Sequence, residues 1–431
     1  MRHAHVCFAV VLVCLVAGGC GEDPARVPQP ASDAAADQAA EERARLQALP
    51  YAGSIEIDED APDGVVHAEP ALASRGHSLF VVFQKCLAEL LGSDGQVVHR
   101  WSAPGDRNWD NAELLPDGDL VVPGAAPSDS GVRGIEDEKR YLMRVAPDNS
   151  VVWRVQLNAH HDVERAPDGR LLTLAFERRR VREIAPDVDC RDDVLTWLDA
   201  EGNVVETMPL LEPVRQRADL FPLTPIAASA KTGRSWIDVF HCNSVETMRH
   251  EPLFGTHPLY HPDHVLVCSR HQDRVFIVDR RSRALVWAWG QGVLDGPHDA
   301  TLLPDGNVMV FDNGLVRKWS RVVVVDPRAN QIVWQYQAAP PQEFFTPTKG
   351  ANQRLPGGNT LITESDRGRV FEVNPAGERV WEWLNPHRID DTGERPRRAT
   401  IVRFYRLSDD VASKALEAIR RRMAGGASPS P

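Results

Sequence analysis

The fold of this chain is indicated by a stretch of nineteen residues, 296–314, which reads GPHDATLLPDGNVMVFDNG. It has the pattern of two short strands around the turn Pro304-Asp305-Gly306, with the second strand ending in Asp312-Asn313-Gly314. A Pro-Asp-Gly turn between two apolar runs is typical of a β-hairpin. The stretch therefore predicts a local antiparallel pair of strands, and His298 stands at its entrance.

The same phrase recurs in weaker copies in which one position keeps its place while its residue changes. Residues 161–169 read HDVERAPDG, with a histidine six residues before the proline, as in the main copy. Residues 110–118 read DNAELLPDG and residues 350–359 read GANQRLPGGN. In these two copies the position of the histidine is occupied by Asp110 and Gly350. A scaffold position that varies in this way is a candidate for function.

A unit of about fifty residues repeats from residue 60 onward, and most copies end in a turn and a Val-Val-Trp strand. These ends lie at 94–101, 149–153, 202–205, 284–289, 331–334 and 378–383. Five of them follow a further apolar strand, at 141–145, 194–198, 274–279, 321–326 and 369–373. Four strands per unit and about six units predict an all-β, six-bladed β-propeller. An array of β-sandwiches is the alternative, and eight blades would need more chain.

The N-terminus predicts a targeting segment. A basic start at residues 1–3 precedes an apolar run, 6–16, that is too short to span a membrane. Small residues then end on a cysteine, which resembles a bacterial lipobox. We interpret residues 1–19 as a lipoprotein signal peptide and Cys20 as the lipidated residue. A plain cleaved signal is the alternative.

The remaining chain divides into three further segments. Residues 20–50 are rich in Ala, Asp, Glu and Pro and are predicted to be a flexible tether. Residues 51–408 hold the propeller, and residues 409–431 a short C-terminal helix and tail. Because Gly21 is not the aspartate that commonly retains lipoproteins at the inner membrane, we expect a cell-envelope protein, periplasm-facing or at the outer membrane.

Charge and cysteine content exclude some functions. The net charge of −12 gives no basic face for nucleic acid. After removal of the signal, and apart from Cys20, four cysteines remain, at 86, 190, 242 and 268, without metal-ligand spacing and too few for a disulfide framework. Cys242 and Cys268 lie on neighbouring predicted strands, and whether they form a bridge stays open.

The fourth unit and the C-terminus depart from the repeat. An unusual connection at 212–236 precedes the fourth unit, and an insertion at 248–261 separates its first two strands. Residues 399–406 form one more predicted strand, placed to close the ring against the first blade. The final helix is expected to pack on the propeller through Ala412, Leu416, Ile419 and Met423. A membrane role for its arginine-rich end is the alternative.

Three histidines are expected to meet near the channel, because equivalent positions on the first strands of successive blades face one another. They are His161, His298 and, with a less regular register, His241. Arg270 ends the strand next to His241. Three imidazoles alone suit zinc or copper, whereas a fixed cation beside them favours an oxyanion such as phosphate or sulfate. We therefore favour an oxyanion site without a metal.

Four short motifs resemble the active-site motifs of the bacterial arylsulfate sulfotransferases. They stand in order in consecutive units, at 160–162 (HHD), 241–244 (HCNS), 269–270 (SR) and 297–299 (PHD). Segments 353–362 and 368–373 also resemble shorter members of that superfamily, and the likeness covers about residues 60–408. It implies a periplasmic six-bladed propeller that uses no nucleotide sulfate donor and no cofactor. The chain lacks room for the extra N-terminal domain of larger members.

The resemblance also implies residue roles. The family nucleophile falls on His298, with His161, His241 and Arg270 assisting, and Asn243 is assigned to substrate binding. Lys349 is a further candidate for sulfate binding, because Gly350 leaves space at the axis. A solvated loop lysine is the alternative. His161 is the first choice for acid and base, and the aspartates after His161 and His298 are expected to orient backbone.

The predicted reaction moves a sulfuryl group from an aryl sulfate to a phenol through a sulfohistidine. Its partners are a small-molecule donor and acceptor and, through the lipid anchor, a membrane; the sequence does not determine the oligomeric state. Two other functions remain open at this point: a non-catalytic propeller that binds an anionic ligand or partner, and a His-ligated metal protein.

Overall fold

The computed structural model of the chain describes four stretches of residues: 54–127, 139–226, 236–389 and 395–425. All described residues belong to one compact unit of the chain. The predicted signal peptide, the tether and Cys20 lie outside the described residues. No helix among the described residues is both long and apolar enough to cross a membrane.

Three of the main sheets come from the chain up to Asp238. Sheet I contains β3 (Ser78–Val82), β4 (Leu87–Leu91) and β5 (Val97–Ser102). Sheet II contains β6 (Asn108–Trp109), β7 (Glu113–Leu114), β8 (Leu120–Ala125), β9 (Arg140–Val145) and β10 (Val151–Gln156). Sheet III contains β11 (His160–Arg165), β12 (Leu171–Arg179), β13 (Asp189–Leu198), β14 (Val204–Pro209) and β15 (Trp236–Asp238).

Three further sheets follow. Sheet IV contains β16 (Cys242–Thr247), β17 (His264–Ser269), β18 (Arg274–Asp279) and β19 (Ala284–Trp289). Sheet V contains β20 (His298–Leu302), β21 (Val308–Asp312), β22 (Arg321–Asp326) and β23 (Gln331–Tyr336). Sheet VI contains β24 (Ala351–Arg354), β25 (Thr360–Glu364), β26 (Arg369–Val373) and β27 (Arg379–Leu384), with β2 (Gly64–Ala68) on its outer edge. A small separate sheet holds β1 (Ile55–Glu56), β28 (Arg388–Ile389) and β29 (Arg397–Arg398).

The repeat therefore folds as antiparallel sheets built from successive hairpins, and all five predicted apolar strands are found, as β9, β13, β18, β22 and β26. Burial follows the order of strands within each sheet. The middle strands, such as Val322–Val325 in β22, are buried on both faces because neighbouring sheets pack against them. The outermost strands expose their paired valines, for example Val97 and Val98 in β5.

The inner strands form the channel wall, and the C-terminal strand completes the ring. Contacts run in succession from β7 to β11, β16, β20 and β24, and from β24 to β30 (Ile401–Arg406). β30 pairs with β3 as the innermost strand of sheet I, which confirms the predicted closure by residues near 399–406. This closed succession of radial sheets is the architecture of a β-propeller.

Two α-helices and four 3₁₀ turns are found among the described residues. The 3₁₀ turns are Phe83–Lys85, Glu251–Leu253, Pro341–Glu343 and Ser365–Arg367. Helix α1 (Leu211–Gln216) lies in the unusual connection before the fourth unit, and the turn Glu251–Leu253 lies in the predicted insertion. Helix α2 (Asp409–Gly425) is C-terminal.

Helix α2 packs on sheets I and II, as predicted. Ala412, Leu416 and Ile419 are buried, the last two within the core cluster of these sheets. The prediction for Met423 is wrong, because its side chain is 49% exposed. Ile419 already lies over the turn at Gly118, so the next helical turn extends past the sheet surface.

The four cysteines within the described residues are all buried free thiols, so no bridge joins Cys242 to Cys268. Cys242 is paired across the strands with Ser269, and Cys268 with Ser244.

Candidate active site

The site histidines lie where inner strands begin and the backbone is irregular. His161 and His241 adopt left-handed conformations, with φ of 61° and 49°, and Asp299, directly after His298, does so with φ of 49°. Strand pairing shifts register at all three places. A left-handed backbone is unfavourable for residues other than glycine, and such strain concentrates at functional sites.

The register of sheet IV corrects the sequence prediction. In sheets III and V, one hydrogen bond across the hairpin marks the register. The residue before the turn proline donates its backbone N–H to a backbone oxygen on the other side of the turn, as Leu303 does to Asn307. In sheet IV the backbone N–H of Met248 makes the equivalent bond, to His264. His298 lies five residues before Leu303, and the residue five before Met248 is Asn243. Asn243, and not His241, therefore occupies the position equivalent to His161 and His298. His241 lies two residues earlier. The insertion in the fourth unit removes the turn proline that marks the register elsewhere.

His241 nevertheless joins the other histidines. Its ring centroid lies 4.9 Å from that of His161 at an interplanar angle of 76°. Its Nδ1 donates to Asp238 Oδ2 at 2.6 Å, which leaves Nε2 to face the pocket. The imidazole of His271 stacks on that of His241, with 4.6 Å between the ring centroids. His271 donates its Nδ1 hydrogen to the backbone oxygen of Asp238 at 2.8 Å.

Both imidazoles of this pair favour the neutral form. Burial lowers the pKa of His241 well below its usual value, and the nearby His271 and Arg270 lower it further. Burial also lowers the pKa of His271 to about 4. The Asp238 carboxylate acts in the opposite sense on His241, because a hydrogen-bonded carboxylate favours the protonated imidazole.

His161 is paired with its neighbour in the sequence. The Nδ1 atoms of His160 and His161 lie 2.7 Å apart, and His160 Nε2 lies 3.3 Å from the backbone oxygen of Ala175. Because that carbonyl only accepts, we assign the hydrogen of neutral His160 to Nε2. His161 then donates from Nδ1. Burial lowers the pKa of His161 well below its usual value, and the neighbouring His160, Arg140 and Arg191 all disfavour a positive charge on its ring.

His298 has a different partner, the amide of Asn313. Its Nδ1 lies 2.7 Å from Asn313 Oδ1 and 3.1 Å from the backbone oxygen of Gly296. Both partners are acceptors, so Nδ1 carries the hydrogen and Nε2 keeps its lone pair. Among the described residues His298 Nε2 has no hydrogen-bond partner. Burial and then Arg270 lower the pKa of His298 well below its usual value, which keeps it neutral.

Two buried cations complete the cluster. The side chain of Arg270 is 1% exposed, and burial lowers its pKa to about 10. Lys349 is 5% exposed and donates to Thr348 at 3.1 Å and to Asp366 at 3.4 Å. Lys349 is therefore not a solvated loop residue. Its backbone oxygen accepts from Asn313 Nδ2 at 2.7 Å, which ties it to the hydrogen-bond network of His298.

Asn243 and the two strand aspartates orient the backbone of the site. Asn243 Nδ2 donates to the backbone oxygen of Pro297 at 2.8 Å, directly before His298. Asp162 accepts from the backbone N–H of the next inner strand at 3.0 Å, and Asp299 does the same at 2.6 Å. This confirms the prediction that the aspartates orient backbone. Arg403 of β30 pairs with both carboxylates, so the closing strand holds both histidine-bearing segments.

Within the described part of the chain, one group of residues could hold a metal ion: Asp238, His241 and His271 each place a ligand atom within 4.8 Å of the others. The arrangement suits a metal poorly. Asp238 already accepts from His241 and lies 3.3 Å from a guanidinium nitrogen of Arg191. The positive charge of Arg270, which lowers the pKa of both imidazoles, also opposes a dication.

The sequence analysis missed four residues of this site: His160, Asp238, His271 and Asn313. Two of them had a local signal, because His160 adjoins His161 and His271 adjoins Arg270. Asn313 stood in the quoted stretch, but only as part of a turn. Asp238 precedes His241 by three residues and reaches it because the left-handed residue turns the chain back.

The fold and the site together define a β-propeller in which three histidines, Arg270 and Lys349 form a largely buried cluster beside the starts of the inner strands. A single sequence match places this protein in a known group. The family model of the arylsulfotransferases (ASST) matches residues 135–386, more than half of the chain, so the chain belongs to the arylsulfotransferase family. All four motifs found in the sequence lie within the matched segment.

The comparison of structures gives distant neighbours. A protein of unknown function from Bacteroides caccae has 11% identity and a TM-score of 0.46, covering 72% of this chain and 94% of that one. The β-propeller domain of Cps50 (Swd1) from Myceliophteria thermophila has 12% identity and a TM-score of 0.42, covering 75% and 90%. BamB from Moraxella catarrhalis has 12% identity and a TM-score of 0.38, covering 77% and 90%. No curated protein matches the chain.

Proposed function

We propose that this protein transfers a sulfuryl group from an aryl sulfate to a phenol, with Nε2 of His298 as the nucleophile. One observation carries the proposal. The hydrogen bonds of Nδ1 leave Nε2 with its lone pair, in a buried pocket that also holds the guanidinium of Arg270. A neutral imidazole nucleophile beside a fixed cation suits attack on an anionic ester.

The reaction has two balanced half-reactions. In the first, the Nε2 lone pair of His298 forms a bond to sulfur, the bond from sulfur to the aryl oxygen breaks, and the electron pair leaves as a phenolate. In the second, the oxygen of the acceptor phenol bonds to sulfur, the N–S bond breaks, and its electrons return to Nε2. One proton is given to the leaving phenolate and one is removed from the acceptor, so a proton-carrying residue serves both steps.

The other pocket residues fit supporting roles. Arg270 and Lys349 stabilise the charge on the outer sulfuryl oxygens, and Asn243 fixes the backbone before His298. His241 is better equipped than His161 to carry the proton, because a carboxylate, Asp238, stabilises its protonated form. His161 lines the partly exposed side of the site, where the lone pair on its Nε2 can accept a hydrogen bond from the hydroxyl of the acceptor phenol.

The wider setting is also proposed. The six radial sheets are the blades of a six-bladed propeller, and Cys20 carries a lipid anchor that holds the domain on the periplasmic side of the cell envelope. The partners are small molecules, an aryl sulfate donor and a phenolic acceptor. Sequence features of the N-terminus support the anchor, and the sheet order supports the blade count.

Steady-state kinetics with 4-nitrophenyl sulfate and phenol test the proposal. We expect ping-pong kinetics, a sulfohistidine at residue 298 detected by mass spectrometry of the rapidly quenched protein, and loss of about 10⁴-fold or more in kcat for His298→Ala. A protein that binds the donor without turnover would be a binding module and would refute the proposal. Near-normal transfer by a folded His298→Ala variant would refute the assigned nucleophile.

A further inference from the structure

We propose that Asn313 is a positioning residue that holds the Nδ1 hydrogen of His298 without accepting it, and so keeps the sulfohistidine protonated and transferable. The inference rests on the proposed sulfuryl transfer and adds a residue to it. Asn313 does not reach the sulfur itself. It acts through the ring of His298, at 2.7 Å from Nδ1.

The orientation of the Asn313 amide follows from its other contacts. Nδ2 lies 2.8 Å from the backbone oxygen of Thr346 and 2.7 Å from that of Lys349. An amide nitrogen satisfies two carbonyl oxygens, whereas a flipped amide would place its oxygen against both. The side-chain oxygen of Asn313 therefore faces His298, where it only accepts.

Asn313 is also held rigidly. It is fully buried, and its backbone oxygen accepts from the hydroxyl of Ser320 at 2.9 Å. Gly314 follows with φ of 72°, and a side chain there would collide with the backbone oxygen of Trp319. The turn is thus constrained on both sides of the amide, as expected of a residue that must fix one ring orientation.

The three pocket histidines differ in what lies behind Nδ1. His241 has the carboxylate of Asp238, and His161 has the imidazole of His160. Only His298 has a neutral group that does not titrate. Since a carboxylate or an imidazole takes up part of the ring's proton, the amide is the partner that leaves the positive charge on the ring.

This difference has a consequence for the intermediate. When Nε2 of His298 bonds to sulfur, the ring retains its Nδ1 hydrogen and becomes a positively charged sulfoimidazolium. The N–S electron pair then returns to a ring that leaves as neutral imidazole. A partner that removed the Nδ1 proton would make the leaving group an imidazolate, which is far more basic and departs more slowly.

Substitution of the amide by a carboxylate tests the proposal. Asn313→Asp would stabilise the protonated ring of His298, which is also faced by Arg270, His161 and His241. We expect the acid limb of the first half-reaction with 4-nitrophenyl sulfate to move up by about one to three pH units. In this variant the sulfohistidine should transfer its sulfuryl group to phenol at least about tenfold more slowly than in the wild type. A factor of about ten corresponds to one pKa unit.

Asn385→Asp is the matched control. Asn385 is fully buried, donates from Nδ2 to a carbonyl at 2.8 Å and accepts from a backbone N–H at 3.1 Å, but it lies at the end of β27, an outer strand of sheet VI. The same change there should leave the lifetime of the sulfohistidine and the acid limb unchanged. Equal effects of the two variants would mean that only a general loss of structure had been measured.

A second measurement does not depend on a variant that folds. In the wild-type protein with ¹⁵N-labelled histidine, NMR should show His298 with hydrogen on Nδ1 and none on Nε2, identified by the signal lost in His298→Gln. The opposite tautomer would overturn the role of Asn313. A sulfohistidine whose lifetime is the same in folded Asn313→Asp would overturn it as well. Absence of any sulfohistidine in the wild type would instead overturn the proposed sulfuryl transfer.

Discussion

The two ends of the inner strands carry opposite charge on one scaffold. At the site end, inner-strand positions and the turns beside them supply His161, His298, Arg270 and Lys349. On the inner strands of sheets II, III and IV, the positions three residues after Asp110, His161 and Asn243 carry acidic side chains: Glu113, Glu164 and Glu246.

Arg249, from the insertion, pairs with the acidic end: it contacts Glu164 and lies 3.7 Å from Glu246. Burial raises the pKa of both Glu113 and Glu246 to about 7. The propeller fold thus determines where side chains from successive inner strands meet. The residue types at those positions determine whether each end is basic or acidic. The proposed sulfate ester, which is an anion, is therefore expected to bind at the site end and not at the acidic end.

The largest effect is expected from the basic end. Arg270→Leu should lower kcat/KM for 4-nitrophenyl sulfate by about 10²–10³-fold, because it removes donors aimed at the sulfuryl oxygens. Arg270→Lys keeps the positive charge but loses the planar guanidinium group with its paired N–H donors. Its kcat/KM should therefore lie between that of Arg270→Leu and that of the wild type. Wild-type activity in a folded Arg270→Leu variant would show that the charge of this end is not used.

A smaller effect is expected from the acidic end, and on stability rather than turnover. The carboxyl groups of Glu113 and Glu246 have folded-state pKa values of about 7, above the unfolded value near 4.5. At these two groups the folded protein therefore binds more protons than the unfolded chain, so their contribution to the free energy of unfolding should fall as pH rises from about 4.5 through 7.

Arg249→Gln should deepen this fall by about 1 kcal/mol at pH 8, since it removes a partly exposed counter-charge, and by less at pH 5. Urea unfolding at the two pH values measures the difference. Equal destabilisation at both pH values would contradict a role for the carboxylates. Turnover of the sulfate ester at pH 8 should stay within the range of the wild type, in contrast to Arg270→Leu.

The smallest effect on the folded domain is expected from Cys20, which lies far along the chain from both ends. Cys20→Ala should release the protein from the membrane fraction, because the lipid anchor is lost, while the unfolding midpoint of the domain and its kcat stay unchanged. Fractionation of cells followed by immunoblotting is the measurement. Unchanged membrane association would refute the lipoprotein proposal and direct attention to the arginine-rich end of α2.

Sequence periodicity predicted most of the fold for a local reason. Each hairpin is encoded by neighbouring residues, so its turn and apolar runs could be recognised one unit at a time. The strands at 274–279, 321–326 and 369–373 have the predicted bounds. Strand β2 on the edge of sheet VI was not predicted, because its pairing with β27 joins residues over 300 positions apart.

The register of the fourth unit shows where the same reasoning failed and how it could have succeeded. Residues 243–246 read NSVE and parallel 161–164, HDVE, which would have placed Asn243 at the register position. His241 drew the assignment because its residue type matched. Its ring reaches the site because His241 itself has a left-handed backbone and its Nδ1 is hydrogen-bonded to Asp238, and neither feature leaves a pattern in the sequence.

The sequence by itself determined the repeat, the closing strand and the three histidines with Arg270, because hairpin signals and residue identities are local. Only the tertiary structure decided which groups lie behind those histidines. Asn313 reaches His298 across a hairpin, and Asp238 reaches His241 through a reversal of the chain. Those contacts set the tautomer and the charge of each ring. They depend on hydrogen-bond geometry between neighbouring strands, so the chemical difference among three identical side chains arises from folding.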